Sequence, residues 1–177
     1  MAKAPLMPVD EALERILAAV PGPTRLEDVP LSEAYGRVLG EDIVATRTQP
    51  PADLSAMDGY AVRASDCKTV PCELTLVGQS QAGRRFDGVL GPDEAVRIFT
   101  GAPLPDGADS IIIQENTERD GADARVRILT AAEQGRHIRK AGIDFRAGEV
   151  GLTSGRRLGP ADIALAAAMN VPTLPVW

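Results

Sequence analysis

Aromatic side chains make up only 3% of the 177 residues, and the chain has one histidine, His137, and two cysteines, Cys67 and Cys72. Each scarcity excludes something. With so few rings, a core must be built from Val, Ile, Leu and Ala. A single histidine cannot form a histidine cluster, a His/Cys zinc site or a histidine-based catalytic triad, and by itself reads as a surface residue. Two cysteines in a chain of this length do not make a disulfide framework. Their spacing is longer than that of a structural-zinc pair and no second pair exists, so they read as ordinary reduced thiols. Basic charge is also short: 19 Lys and Arg against 25 Asp and Glu leave a net charge of −6. Nucleic acid is therefore a poor partner, since phosphate neutralisation needs a basic face. No run approaches the ~20 apolar residues of a membrane span, and MAKAPLMPVDEALER lacks an apolar signal core. The expected setting is cytoplasmic, with no membrane.

What is present is a substantial apolar fraction, 44%, enough for a real core and against disorder. The length suits one ordinary domain or two small ones. Val9, Leu13, Ile16, Leu17 and Val20 recur at helical spacing among charged residues, which predicts an amphipathic helix whose apolar face must pack on something. Pro21-Gly22-Pro23 stops it. From 25 to 45 the pattern is of short strands (RLEDVPL, RVLGEDIVA) around a brief helical turn with Ser32 as its cap. TQPPA at 48–52 is a stiff extended connection, read as a domain crossing. From there to about 144, ELTLVG, EAVRIF, SIIIQE and ARVRIL are strand-like runs separated by Gly, Pro and Asp. SIIIQE, continuous in its apolar residues, is expected in the interior. After a turn-rich stretch, Gly159-Pro160 opens an Ala-rich helix ended by Asn170, and TLPVW is a last short strand.

The expected fold is mainly β with a few short helices (α+β): an N-terminal helix at 1–24, a discontinuous β domain from 25–48 and 146–177, and a β-rich domain at 49–145 inserted into it.

Four segments could carry chemistry. GQSQAGRR at 78–85 has the glycine spacing of a phosphate loop but lacks the Lys-Ser/Thr end, so a glycine hairpin is the better reading. SAMDGYA at 55–61 displays the Asp58 carboxylate at a tight Asp-Gly corner. With Asp53 and Ser55 upstream it could help hold a hard cation such as Mg2+, or it could be a capped turn. TGAPLPDGAD at 100–109 exposes the Thr100 hydroxyl and backbone N–H groups on a proline-stiffened loop, which could cradle an anion or merely connect. HIRKAGIDFRAGE at 137–149 places Arg139 and Lys140 before Asp144, either a phosphate contact or a solvated charged turn.

Taken together and in this order, PPADLSAMDGYAVR, RIFTGAPLPDGADSIIIQE and HIRKAGIDFRAGE resemble the N-terminal region of molybdopterin molybdenumtransferases, a family that includes the C-terminal domain of gephyrin. The resemblance covers essentially the whole chain. It implies an elongated first domain interrupted by a β-rich second one. It implies insertion of molybdenum from molybdate into adenylated molybdopterin, with release of AMP and with Mg2+ present, in molybdenum cofactor biosynthesis. By resemblance the catalytic residues are Asp58, Thr100 and Asp144; Asp58 and Asp144 would act through Mg2+ or an activated water, and no metal ligand is assigned beyond Asp58 as a candidate. Arg139, Asp53 and Ser55 are substrate-binding. A homodimer is implied, and molybdopterin adenylyltransferase as a partner. The family continues past a position like Trp177 into molybdopterin-binding and C-terminal domains, so this chain would hold one wall of the site and be inactive alone. The alternative is a dimerisation and partner-docking module without catalysis of its own. An unrelated metal-dependent hydrolase is the weaker third reading.

Overall fold

The computed structural model describes residues 7–22, 25–119 and 124–177; Pro23, expected in the helix stop, lies outside them. In chain order the elements are α1 (Val9–Ala19), β1 (Glu27–Pro30), β2 (Ile43–Val44), β3 (Leu54–Ser55), β4 (Gly59–Val62), β5 (Cys72–Ser80), β6 (Glu94–Ile98), β7 (Ser110–Ile113), β8 (Thr117–Glu118), β9 (Arg125–Ile128), β10 (Ile138–Arg139), β11 (Val150–Leu152), α2 (Pro160–Ala168) and β12 (Thr173–Val176). Among the described residues the protein is mostly β with two α-helices.

The chain forms two compact units, Met1–Ile43 with Val150–Trp177, and Val44–Glu149. These limits lie a few residues outside the expected crossings at 48/49 and 145/146. The reason is local: Gln49 N–H donates to Phe145 O, Ala45 N–H to Glu149 O, and Gly148 N–H to Ala45 O. The entering and leaving chain segments thus pair with each other, and both belong to the second unit.

In the first unit, β1 and β12 pair antiparallel, from Glu27 opposite Val176 to Pro30 opposite Thr173. Val29, Ala34, Leu39, Leu152, Leu158, Met169 and Leu174 are buried. Ser32 lies inside a 3-10 turn, Leu31–Glu33, rather than capping it: Pro30 occupies the cap position and no side chain bonds there. α2 starts as expected, with Pro160 in its first turn; the Asp162 carboxylate accepts the Gly159 N–H at 2.8 Å. Asn170, at φ 62°, is the left-handed residue that ends it. The expectation for α1 needs correction. Its apolar residues do not pack within the described chain: Val9, Leu13, Ile16 and Leu17 are 81, 52, 64 and 62% exposed.

The second unit is built on a six-stranded sheet in the order β7-β4-β6-β5-β9-β8. All its pairs are antiparallel except β5 with β6. Both faces are covered. Tyr60, Val62, Leu74, Ala95, Ile112, Val126 and Ile128 cluster with Cys67, and Ala61, Leu90, Val96, Ile98, Ala102 and Ile111 form the other cluster. Of SIIIQE, Ser110, Ile111 and Ile112 are buried as expected, while Gln114 and Glu115 are exposed, and β7 is an edge strand. The chain after β9 covers that edge, with Ile111 N–H donating to Arg136 O and Gly135 N–H to Asp109 O. The 78–85 segment closes as a tight hairpin, Gln81 and Arg84 exchanging backbone hydrogen bonds of 2.9 Å around Gly83 at φ 80°. No helix among the described residues is long and apolar enough to cross a membrane.

Candidate functional site

The three motif segments, far apart in sequence, are laced around β3. Ser55 pairs with Ile138 and Leu54 with Arg139 across the β3–β10 ribbon. On the other side, Gly101 N–H donates to Ser55 O and Ser55 N–H to Ala102 O, both at 2.9 Å, and Leu104 N–H donates to Asp53 O. Ala56 N–H donates to His137 O. His137 is half-buried and carries a positive φ of 59°. Its contribution is a backbone acceptor at a bend, and its ring accepts a 3.3 Å bond from the Arg136 guanidinium.

Of the two readings of the 100–109 loop, anion cradle or connector, these bonds favour the connector. Its leading amides are already used: Thr100 N–H goes to Asp58, Gly101 N–H to Ser55 O, and Ala102 N–H to Phe99 O. Gly101 sits at φ 80°, a conformation other residues adopt only with strain. The loop aims its donors at the 53–58 segment instead of at solvent.

Asp58 is the best-defined member of the set. The Thr100 N–H and the Thr100 hydroxyl both donate to its Oδ1, at 2.7 and 2.8 Å, and Gln114 N–H donates to its backbone carbonyl at 3.1 Å. Asp58 is exposed, and its Oδ2 has no hydrogen-bond partner among the described residues. Its carboxyl is held below the usual carboxylate range, first by the Thr100 N–H, then by the Thr100 hydroxyl, with the nearby Arg97 charge contributing least. The residue after it must be glycine. A Cβ on Gly59 would lie 2.0 Å from the Ile112 carbonyl oxygen, so β4 and β7 could not approach as they do.

The other carboxylates are differently placed. Asp53 accepts from Lys140 Nζ and from the Ala141 N–H, both at 2.8 Å. The Lys140 hydrogen bond is the main cause of its lowered pKa, followed by the Ala141 N–H. Asp144 takes both its oxygens to the Arg139 guanidinium at 3.2 Å. Ser55 is buried, and its hydroxyl donates to Met57 O at 2.5 Å. Asp53, Ser55 and Asp58 therefore do not turn their side-chain oxygens to a common point. Among the described residues no three His, Cys, Asp or Glu side chains are grouped to hold a metal ion. No hydrogen bond joins the Asp58–Thr100 pair to the Arg139–Asp144 pair.

Two further residues belong to this geometry. Lys140, read from the sequence with Arg139 as a phosphate contact or part of a charged turn, matches the charge of Asp53. Arg97 on β6 donates to Gly59 O at 2.9 Å and to Gln114 Oε1 at 2.7 Å. The sequence carried only a weak signal for it, a basic residue between Val96 and Ile98 in the strand-like EAVRIF.

The chain belongs to the family described as the MoeA N-terminal region (domain I and II), which matches residues 7–170. It is 42% identical to molybdopterin molybdenumtransferase 2 of Mycobacterium tuberculosis (strain CDC 1551 / Oshkosh) over 167 residues, 92% of this chain and 41% of that protein. It is 36% identical to the molybdopterin molybdenumtransferase of Haemophilus influenzae over 166 residues, 94% of this chain and 41% of that protein. The crystal structure of the molybdopterin biosynthesis moeA protein from Pyrococcus horikoshii OT3 superposes with a TM-score of 0.84 at 37% identity, covering 97% of this chain and 45% of that one. The chain spans about two fifths of the length of the curated relatives it matches.

Proposed function

We propose that this chain is the part of a molybdopterin molybdenumtransferase that supplies one wall of its active site. The reaction is insertion of molybdenum from molybdate into adenylated molybdopterin, with release of AMP. The observation that carries the reading is the Asp58–Thr100 pair. One carboxylate oxygen is fixed by two neutral donors that favour the ionised form, and the second faces solvent with no partner among the described residues, free to meet a ligand. Asp144 and Arg139 form the second element, an exposed pair. Exposed ion pairs cost little to open, so the guanidinium can exchange its carboxylate for a substrate phosphate, and Asp144 then faces the same ligand. Asp53 and Ser55 act from further back, fixing Lys140 and the 55–57 turn.

The donor set fits Mg2+ only in a shared form. Asp58 offers one carboxylate oxygen, whereas Asp53 and Asp144 are already matched by Lys140 and Arg139. Mg2+ keeps several waters and takes one or two carboxylates together with substrate phosphates, and Asp58 is the residue that would hold it. Bound there, it would neutralise phosphate charge and lower the pKa of a bound water. Thr100 orients the Asp58 carboxylate, and Arg139 binds anionic oxygen. The setting is cytoplasmic, and molybdopterin adenylyltransferase is the partner that hands over adenylated substrate.

A homodimer is favoured by a separate observation, the exposed apolar face of α1. Loss of self-association on Leu13→Glu, by sedimentation, is the result that supports it. The test of function is reconstitution of a molybdenum-free enzyme. A full-length protein carrying this region should insert molybdenum, and the 177-residue chain alone should not. Comparable activity from the chain alone would overturn the one-wall reading.

A further inference from the structure

Arg97 is the basic residue in β6, a strand with neighbours on both sides, where Ala95, Val96 and Ile98 are buried. It stands opposite Tyr60 of β4 and opposite Gln79 of β5. Arg97 is itself half-buried, so the part of its guanidinium turned away from solvent needs partners. Its NH1 donates to the Gly59 carbonyl and its NH2 to the Gln114 side chain. Its guanidinium carbon lies over two of the chain's few rings, 5.1 Å from the Tyr60 centroid and 4.7 Å from that of Phe99. A lysine ammonium could still sit over a ring, but it lacks the planar fork that reaches Gly59 and Gln114 from separate nitrogens.

The partners are informative because each adjoins the Asp58–Thr100 pair. Gly59 follows Asp58, and Phe99 precedes Thr100. Gln114, held through its side chain, donates its own N–H to the Asp58 carbonyl. Two separate stretches of chain, at 59–60 and at 114, thus meet the Arg97 side chain against Phe99 of its own stretch; the first carries Asp58, and its own stretch leads into Thr100. We propose that Arg97 is a positioning residue that fixes the Asp58 turn and the Thr100 loop relative to each other, acting through Gly59, Gln114 and Phe99. This deepens the function proposed above and rests on it for its link to catalysis.

The experiment has two arms. In the 177-residue chain, amide hydrogen exchange is followed by NMR for Arg97→Lys and Arg97→Gln, with Val126→Ala as a control that loosens the core elsewhere. Positioning predicts that the Thr100 amide exchanges at least about tenfold faster in both Arg97 variants relative to the amides of the sheet core, as a local opening would, and that Lys does not rescue it. In the control, the Thr100 and core amides should move together. If Arg97→Lys does not fold, Gln114→Ala removes one clamp contact and should give the same selective change. Uniform change across the sheet in every variant would make Arg97 a general structural residue and overturn the proposal.

The second arm places Arg97→Lys in the full-length protein. There kcat should fall about tenfold or more with KM within about threefold, the mark of a lost transition-state interaction. Selective opening at Thr100 with kcat unchanged would leave the positioning role standing and sink the catalytic reading of Asp58 and Thr100 instead.

Discussion

The two ends of the candidate site handle negative charge in opposite ways. At one end, Asp58 is held by an amide and a hydroxyl, both neutral, and keeps an oxygen to spare. At the other, Asp144 and Asp53 are matched one to one by Arg139 and Lys140. The first arrangement leaves a net charge for something outside the chain. The second spends its charges internally, in pairs exposed enough to be opened by a competing anion. Under the proposed function, the contrast would put an electrophile, whether a metal ion or a proton, at the Asp58 end and anionic oxygens at the Arg139 end.

The strongest way to break the contrast is Asp58→Asn in the full-length protein. The change is nearly isosteric and keeps an oxygen for both Thr100 donors, but removes the spare anionic one. Molybdenum insertion should fall by at least about a hundredfold, the scale of losing an oriented polar group in a site. The melting temperature should stay within a few degrees. Full activity with a normal melting curve would reduce Asp58 to a turn residue. Asp144→Asn is next, with an expected loss of about tenfold in kcat/KM, or ~1.4 kcal/mol. It uncouples Arg139 from its counter-charge without removing the cation. A tighter KM with unchanged kcat would show that the carboxylate only competes with substrate.

Thr100→Ala should be milder, a few-fold in rate, because the 2.7 Å bond from the Thr100 N–H to Asp58 remains when the hydroxyl is gone. A loss as deep as that of Asp58→Asn would put the hydroxyl itself in the chemistry. The smallest effect concerns Asp53. Its carboxyl titrates below the ordinary value of 3.8 because Lys140 and the Ala141 N–H favour the ionised form. The stabilisation is therefore present above that value and lost as pH falls through the lower folded pKa, where the unfolded chain already holds the proton. Melting curves between about pH 5 and pH 2.5 should fall more gently for Asp53→Asn than for the parent; parallel curves would show that the pair contributes nothing.

The sequence made the motif segments legible because each is a local pattern: Asp-Gly at a corner, prolines stiffening a loop, basic residues before an aspartate. It also showed α2, whose Gly-Pro start and Asn end are local signals. What it could not show is how the segments meet. The β3–β10 ribbon is two residues long on each strand, too short for a periodic signal. The use of the Thr100 and Gly101 amides depends on partners more than 40 positions away. A Lys140–Asp53 pair has no signature in either segment alone. The outward shift of the unit boundaries has the same origin, since Gln49 finds Phe145 only after the whole β unit has folded. For α1 the periodicity correctly gave a helix, but periodicity says only that a face is apolar, not what covers it.

The pairing of β1 with β12 has a consequence for the order of events during synthesis. The second unit is complete once residue 149 has emerged, but Val29 must wait for Leu174, its partner across the ladder. At about 5–20 residues per second this leaves β1 unpaired for roughly ten seconds. An open strand is a hazard, a template for the wrong neighbour. The strand's composition is suited to that wait: Glu27-Asp28-Val29-Pro30 has one buried apolar residue, two acidic ones and a proline that lacks an N–H. A nascent chain in this state repels its like and offers an incomplete edge, so the strand that closes the first unit last is also the one least able to pair too early.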